Sequence, residues 1–351
     1  MPPVPPAQPA ALLSETEFIR RVLIVVAILA GAAALYMLSD IILLIFGSVL
    51  VAVVLRSIAP PLEQLTSLGP RSSLAVAGLG VLALLVGIGV LFGAQISDQL
   101  STLVQSLPAA TANLSKSEPF QSVSELLKGS SVGNLLANAL SWGTTVFGGL
   151  ATLFVVLIAG IYIAISPRTY RDGLLMLFPR GVQDKVSATL DAGGEALRLW
   201  LGAQLLAMIM VGTLTGIGLA IIGVPSALGL GLIAGVLEFV PIVGPVVAAV
   251  PALLLASTQS WELAAWTLLL FVIVQQVESN IIMPLVSGRA VDLPPAVGLF
   301  AVIAIGILFG PLGLLLGYPL AIVTDVAVRS LYVREALGED VDIAGEKNKA
   351  S

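Results

Sequence analysis

Carboxylate and amide side chains stand inside stretches of this sequence that are otherwise almost wholly apolar. Glu238 lies near the middle of the apolar run 225–257, and QQVESN (275–280) ends another such run. A carboxylate at bilayer depth costs about 3 kcal/mol on insertion scales, so it normally faces a partner or a water-filled cavity. Their oxygens suit the binding of a cation, a proton or a polar solute. The predicted ion or substrate site is Glu238, Gln275, Gln276, Glu278 and Asn280.

The spacing of these residues places them on neighbouring faces of one helix. At about 100° per residue, Gln275 and Glu278 share one face. Gln276 and Asn280 share an adjacent face. A helix with amides and a carboxylate on one side needs a polar partner on that side, which favours a binding site there.

A structural interpretation of the same residues stays open. Glu278 could pair with Arg289 near the membrane interface, and Glu238 could be solvated at the tip of a hairpin. Arg289 and Asp292, in SGRAVDLPPAVG, favour a structural ion pair that fixes the loop before the next apolar run.

Proline and glycine interrupt the apolar runs that carry these polar groups. Pro241 follows Glu238 by three residues, and a proline within a helix removes a backbone donor and clashes with the preceding turn. Irregular backbone at membrane depth is tolerated only where it is buried in protein or lines a cavity. The predicted hinges or breaks are Pro241, Gly244, Pro245, Pro251, Pro284, Gly288, Gly310, Pro311, Gly313 and Pro319.

The composition indicates a membrane protein. Of 351 residues, 58% are hydrophobic and 11% are charged, whereas a soluble domain carries about 25% charged residues. Continuous apolar stretches of about 20 residues predict an all-α, polytopic helical membrane protein and argue against a transmembrane barrel. The sequence has no cysteine, no histidine and no Walker A pattern. We therefore expect no enzyme activity, no cofactor, no metal site and no nucleic-acid partner.

Charge bias sets the predicted topology. The densest basic stretch, 167–200, is predicted to be a cytoplasmic loop, either to set orientation only or to hold a ligand or anionic lipid. Residues 97–141 are predicted to form an amphipathic insertion outside, and Ser39-Asp40 a tight hairpin between the first two spans. The full spans are predicted at 22–38, 41–57, 74–96, 143–166, 201–223 and 262–284.

The flanks of two remaining apolar segments require each segment to enter and leave on one side. Residues 225–257 and 295–326 are thus predicted as re-entrant or broken-helix hairpins that open from opposite faces. Six full spans plus two hairpins result, with eight simple spans as the alternative. A disordered tail (1–17), a transporter domain (18–335) and a C-terminal tail (336–351) complete the organisation, with both termini in the cytoplasm.

Two segments carry a family resemblance. EFVPIVGPVVAAVPALLLA (238–256) and QQVESNIIMPLVSGRAVDLPPAVGLFAVIAIGILFGPLGLLLGYPLA (275–321) resemble the signature half of the autoinducer-2 exporter family, the PerM-like permeases. LGAQ (201–204) resembles the start of that family's middle spans. The resemblance covers about residues 18–335. It implies a bacterial inner-membrane transporter that lies among membrane lipids as a homo-oligomer and exports autoinducer-2 or exchanges Na⁺ or H⁺.

The resulting hypothesis is a secondary-active transporter in which the hairpin region moves against the rest of the fold. Glu238 and Glu278 would supply charge for coupling to H⁺ or Na⁺, and the nearby amides would supply neutral ligands for a small polar or ionic solute. Two alternatives remain: an uncoupled channel-like pore, and a membrane scaffold that recruits partners through 97–141 or the cytoplasmic loop.

Overall fold

The fold is built from helices alone in the part of the chain that the computed structural model describes, which is residues 15–66, 69–83, 86–87, 152–282 and 293–346. It is 88% helical, and these described residues contain no strand. The helices are α1 (Glu15–Met37), α2 (Ser39–Thr66), α3 (70–83), α4 (Thr152–Ile165), α5 (Pro167–Leu175), α6 (Gln183–Ile222), α7 (Ala227–Leu237), α8 (Val243–Gln259), α9 (Trp261–Val277) and α10 (Pro295–Ala327). A 3₁₀ turn (Arg180–Val182) precedes α6, and π-helical turns (Glu278–Ile282 and Val328–Arg334) extend α9 and α10.

Several of these helices have the length and composition of membrane spans. Five described helices are long and apolar enough to cross a bilayer, and a sixth results if α4 and α5 count as one bent span. Their apolar side chains point outward; in α1 none of the apolar window is buried. A helix that is apolar all round and faces outward is suited to lipid. The prediction of an all-α, multi-pass membrane protein is confirmed.

The helix α6 is too long to lie wholly within a membrane. Its 40 residues extend about 60 Å, twice the hydrocarbon thickness of about 30 Å. The stretch 167–200, predicted as a cytoplasmic loop, is helical, because α5, the 3₁₀ turn and the first half of α6 occupy it. Its cytoplasmic location stays a prediction. Ala192, Ala196 and Trp200 recur at helical spacing and are buried, so packing of this face stabilises the helix.

The segment 225–257 forms two helices that fold back on each other. α7 ends at Leu237 and α8 begins at Val243, with the intervening residues 238–242 as the tip. Leu230 and Ala234 of α7 share one apolar core with residues of α8 and α9. With 11 residues, α7 extends only about 16 Å and is shorter than the hydrocarbon core.

Paired glycines let α7 lie directly on α6. A Cβ atom at Gly212 would be 3.0 Å from the Cα atom of Gly235, and one at Gly231 would be 2.5 Å from the Cα atom of Gly216. Both contacts are backbone to backbone, so no larger side chain fits between the helices. The first hairpin is therefore held against α6, the longest of the described helices.

The segment 295–326 also folds back on itself. Within α10 the backbone leaves helical geometry at Gly310, where φ is 66° and ψ is −149°. A Cβ atom at Gly317 would lie 2.9 Å from the Cα atom of Val302, and one at Gly313 would clash with the carbonyl oxygen of Ile305. These contacts across the turn pair the arms 295–309 and 311–327 as an antiparallel hairpin.

The junction between α1 and α2 is not the tight hairpin that the sequence predicts. The Leu38 amide donates to the Ala34 carbonyl, and the Ile42 amide donates to the Leu38 carbonyl, each at 3.0 Å. Helical hydrogen bonding therefore passes through the junction. Among the described residues none near Ser39 has the positive φ that a tight reversal commonly uses.

The chain after α10 packs against α6 as far as residue 346. Ile343 is buried in the core shared by α2, α6 and α10. Lys185 of α6 pairs with Glu335, and Arg334 pairs with Glu346 at 2.6 Å. This part of the predicted C-terminal tail is thus an attached segment.

Candidate functional site

Glu238 is the first residue of the tip between α7 and α8, and it is fully buried. Neither of its carboxyl oxygens has a hydrogen-bond partner of normal geometry among the described residues. The carboxyl group of Glu278 lies close enough to interact with it electrostatically. The structure therefore brings together two carboxyl groups that are 40 residues apart in the sequence.

Glu278 comes from the other side of the site, where α9 passes into its π-helical turn. The side chain is 6% exposed and accepts a hydrogen bond of 2.9 Å from the Nε2 atom of Gln275. π-helical turns within α-helices are frequent at functional sites. The bond to Gln275 uses one of the two carboxyl oxygens, and the other is available to a ligand or to Glu238.

Two adjacent carboxyl groups in a buried place have restricted chemistry. If both are ionised they repel each other, and burial strengthens that repulsion. A shared proton or a bound cation removes it. The pair is thus suited to exchanging one small cation for another.

Gln204 of α6 also belongs to this site, and the sequence did not single it out as a ligand. It is 3% exposed, and its Nε2 atom donates a 2.5 Å hydrogen bond to the backbone carbonyl of Glu238. The only sequence feature that could have pointed to Gln204 is the LGAQ motif (201–204). That motif was noted for its family resemblance and not for a ligand. The contact fixes the hairpin tip to α6.

Gln276 and Asn280 are not part of the buried group. Both side chains are exposed, and the Nδ2 atom of Asn280 donates to the backbone and side-chain oxygens of Gln276 at 2.9 and 3.0 Å. The predicted five-residue set therefore divides. Glu238, Gln275 and Glu278 lie at the site, and the other two amides lie on a different face of the same helix.

The backbone of the tip is strained. Ile242 has φ 70° and ψ −49°, and the Val243 amide donates to the Pro241 carbonyl at 2.8 Å, which closes a γ-turn. A β-branched residue at positive φ is an outlier that costs free energy. Such strain concentrates at ligand clamps and switch regions. The strained turn begins three residues after Glu238.

The predicted break residues of the first hairpin have different roles. Pro241 lies in the tip, and a Cβ atom on Gly244 would clash with the carbonyl oxygen of Leu237. Pro245 lies in the first turn of α8, where no helical hydrogen bond is lost. Pro251 lies inside α8, which continues past it, so the helix has no break there, and a hinge at Pro251 stays a prediction.

The second hairpin has its reversal at Gly310. Pro311 follows in the first turn of the returning arm, and Gly313 permits the close approach of the arms. Pro319 is almost fully buried inside that arm and does not end it, so it is not a break either. Membrane helices tolerate such prolines where neighbouring groups satisfy the freed backbone. Pro284, Gly288, Arg289 and Asp292 lie outside the described residues.

Three aromatic rings connect the tip of the first hairpin to the second hairpin. Phe239, next to Glu238, meets Trp200 of α6 edge to face at 5.8 Å between centroids. Trp200 stacks on Tyr318 of α10 at 5.6 Å. A Cβ atom on Gly298 would lie 2.5 Å from the Tyr318 ring, so the ring also bridges the two arms of α10.

No cluster of three or more His, Cys, Asp or Glu residues that could hold a metal occurs in the described part of the chain. The carboxyl pair with its two glutamines offers oxygen and amide groups of the kind that suit a proton, a weakly held cation or a polar solute.

Comparison with known proteins places these elements in a family. The sequence pattern of the AI-2E family transporters matches residues 23–332, a range that includes the whole carboxyl site. The Mycobacterium tuberculosis (strain CDC 1551 / Oshkosh) protein MT0215 is 29% identical over 345 residues, which cover 91% of this chain and 92% of that protein.

Two further relatives match over shorter regions. The Bacillus subtilis (strain 168) protein YrrI is 35% identical over 150 residues, or 43% of this chain and 42% of YrrI. The AI-2 transport protein TqsA of Escherichia coli (strain K12) is 26% identical over 196 residues, or 55% of each chain.

Proposed function

Because this chain belongs to the AI-2E family of membrane transporters, we propose that it is a secondary-active transporter that exports a small polar or ionic solute in exchange for H⁺ or Na⁺. Its similarity to an AI-2 transport protein supports an autoinducer-2-like solute as one candidate, with a cation as the other. The sequence offers no Walker A pattern for driving transport with ATP.

The buried contact between Glu238 and Glu278 is the observation that carries the proposal. A pair of carboxyl groups that has lost one proton carries one negative charge and can bind a cation. When the pair takes up a proton again, that charge is neutralised and the cation is released. Exchange therefore requires that the pair be reached from each side of the membrane in turn. A transporter of this kind places its site at the midplane, between broken helices.

The tip of the first hairpin is the proposed moving part. It carries Glu238, it is held to α6 by Gln204, and it contains the strained Ile242. A strained segment stores free energy that a second arrangement could release. The contact of Phe239 with Trp200 and of Trp200 with Tyr318 would pass this change to the second hairpin.

The proposal places the chain in the bacterial cytoplasmic membrane, as a homo-oligomer with both termini in the cytoplasm. The first hairpin then enters and leaves the membrane on one side. Accessibility tags inserted at residues 225 and 258 should report the same side. Tags that report opposite sides would show that α7 and α8 together cross the bilayer, and the hairpin topology would be abandoned.

Transport in proteoliposomes tests the coupling. The purified chain is reconstituted, and solute flux is measured under imposed pH or Na⁺ gradients of either direction. We expect Glu278→Gln and Glu238→Gln each to reduce gradient-driven flux at least about 100-fold, because a neutral amide cannot exchange a proton or balance a cation. Glu262→Gln is the matched control, since Glu262 is exposed at the start of α9.

The outcomes separate the candidate functions. Loss of gradient-driven flux in both site variants, with normal flux in the Glu262→Gln control, supports coupled transport. Flux that never depends on a counter-ion gradient indicates an uncoupled pore. If both site variants keep the coupled flux of the native chain, the assigned roles of the two glutamates are wrong.

A further inference from the structure

A groove with an arginine-rich rim lies away from the carboxyl site, between α2, the bend from α4 to α5, and α6. It encloses about 890 Å³. Four guanidinium groups line it: Arg56, Arg168, Arg171 and Arg198. The groove was visible in the sequence only as a basic stretch, and the fold adds Arg56 from α2.

Two of the four arginines have no partner among the described residues. Arg171 pairs with Asp191 at 2.6 Å, and Arg198 pairs with Glu195 at 2.6 Å. Arg56 and Arg168 make no ion pair or hydrogen bond with any described residue. The Nε atom of Arg171 is buried and likewise has no hydrogen-bond acceptor among the described residues. Within the described part of the chain, the rim therefore has two unpaired positive charges, on Arg56 and Arg168, and one buried hydrogen-bond donor without an acceptor, the Nε atom of Arg171.

The floor of the groove is apolar. Val49 and Val53 of α2, Ile163 of α4 and Leu190 of α6 contribute aliphatic side chains to the lining. A soluble anion would leave this surface in contact with water. An amphiphile would cover it, since its phosphate could meet the rim while its apolar part lies on the floor.

We propose that this groove binds the phosphate headgroup of an anionic phospholipid. Arginine forms bidentate, charge-assisted hydrogen bonds with phosphate, and basic pockets between membrane helices on the cytoplasmic side suit such headgroups. The N-terminus of the nine-residue α5, which begins at Pro167 on the rim, adds partial positive charge. The predicted position of Arg56 and Arg168 on the cytoplasmic side agrees with the negative potential of that leaflet.

Removal of the unpaired charges tests the rim. The delipidated full-length chain in detergent is titrated with phosphatidylglycerol or with phosphatidylcholine, and bound lipid is counted by native mass spectrometry. At about fivefold per arginine, Arg56→Gln with Arg168→Gln should weaken phosphatidylglycerol binding about 30-fold and leave phosphatidylcholine unchanged. Arg71→Gln with Arg180→Gln is the charge-matched control, because neither residue lines the groove.

A steric variant tests the groove without any change of charge. Gly194 lines the groove on α6, and a Cβ atom there would meet no described atom within 4 Å. Gly194→Trp should therefore fill the groove and reduce phosphatidylglycerol binding at least tenfold. Gly202→Trp is the control, since Gly202 is equally open on the same helix but does not line the groove.

Three outcomes would overturn the proposal. Equal losses in both arginine pairs would indicate general surface electrostatics. Unchanged binding in the Arg56 and Arg168 variant or in Gly194→Trp would place the lipid elsewhere. Competition by inorganic phosphate at the same concentration as phosphatidylglycerol would indicate a site for a soluble anion. None of these readouts depends on transport, so they stand apart from the test of the carboxyl pair.

Discussion

At the residue scale, a buried hydrogen bond fixes the tip of the first hairpin to α6, beside the contact of Phe239 with Trp200. Gln204 donates it to the Glu238 carbonyl, and both groups are buried. Loss of the donor leaves a buried carbonyl oxygen without a partner, at a cost of about 1–3 kcal/mol. The tip of the native chain should therefore be markedly less mobile than that of a variant without this amide.

Thiol labelling measures this effect, because the native chain has no cysteine and an engineered one is unique. We expect Gln204→Leu to raise the labelling rate of Val240→Cys about tenfold. Gln183→Leu is the control, since Gln183 also donates to a backbone carbonyl but is only half-buried, and its hydrogen bond is exposed to solvent. A similar increase in both variants would mean that the Gln204 contact does not hold the tip.

A second residue-scale prediction concerns Gly244. A Cβ atom there would overlap the carbonyl oxygen of Leu237, so the two arms of the hairpin would have to separate. We expect Gly244→Ala to destabilise the fold by about 3 kcal/mol and to lower the apparent melting midpoint in detergent by about 5 °C. Gly202→Ala, which meets no described atom within 4 Å, should leave the midpoint unchanged. Equal midpoints would contradict the close packing of the tip.

The sequence singled out three of the four residues that the structure brings together at the carboxyl site. Glu238 and Glu278 stood out because an ionisable group in an apolar run needs a partner, and Gln275 shares a helical face with Glu278. The same spacing placed Gln276 and Asn280 together on an adjacent face, and there they form their own exposed pair. Gln204 escaped detection because periodicity relates residues within one helix and says nothing about which residue of another helix they meet.

At the element scale, the antiparallel arms of α10 make a direct prediction. A Cβ atom on Gly306 would lie 3.5 Å from the Cβ atom of Leu314, which is within the range of a disulfide. Gly306→Cys with Leu314→Cys should therefore crosslink under mild oxidation. In a continuous helix, positions eight residues apart would be about 12 Å apart and could not react.

The control uses the same spacing within one arm. Val297→Cys with Ile305→Cys should remain reduced, because residues 295–309 form one helix. Crosslinking is followed by mass spectrometry of the peptides. A crosslink in the control, or none in the first pair, would refute the reversal at Gly310.

Sequence patterns located the hairpins but not every turn. Gly310 is at a true reversal because only glycine readily adopts its positive φ with ψ near −149°. Pro251 and Pro319 looked similar in the sequence, yet both helices continue because packing of neighbouring helices compensates for the lost hydrogen bond. Ser39-Asp40 has polar residues typical of a turn, but no residue there adopts the backbone that a reversal needs in the described structure.

At the scale of the whole molecule, the end of the chain is attached to the middle of the fold. Gly345 has φ 81°, and a Cβ atom there would clash with the carbonyl oxygen of Ala192 on α6. Gly345→Ala should release the segment 335–346 and increase tryptic cleavage at Arg334 several-fold. Gly338→Ala is the control, since Gly338 has φ 74° but meets no described atom within 4 Å. Both variants strain a backbone of positive φ, but only Gly345→Ala also disturbs packing against α6, so the difference in cleavage measures the packing. Equal cleavage in the two variants would contradict the attachment of segment 335–346 to α6.

The length of α6 has a further consequence for how this molecule can be observed. From Gln204, beside the carboxyl site, to its start at Gln183, the helix extends about 32 Å, so a tilt of about 10° moves that far end by about 6 Å. A rigid helix of this length acts as a lever. A small movement near the carboxyl pair is therefore enlarged at the first turns of α6, around Gln183. Under the transport cycle proposed above, a pair of fluorophores at this end of α6 would report the cycle without any label near the solute.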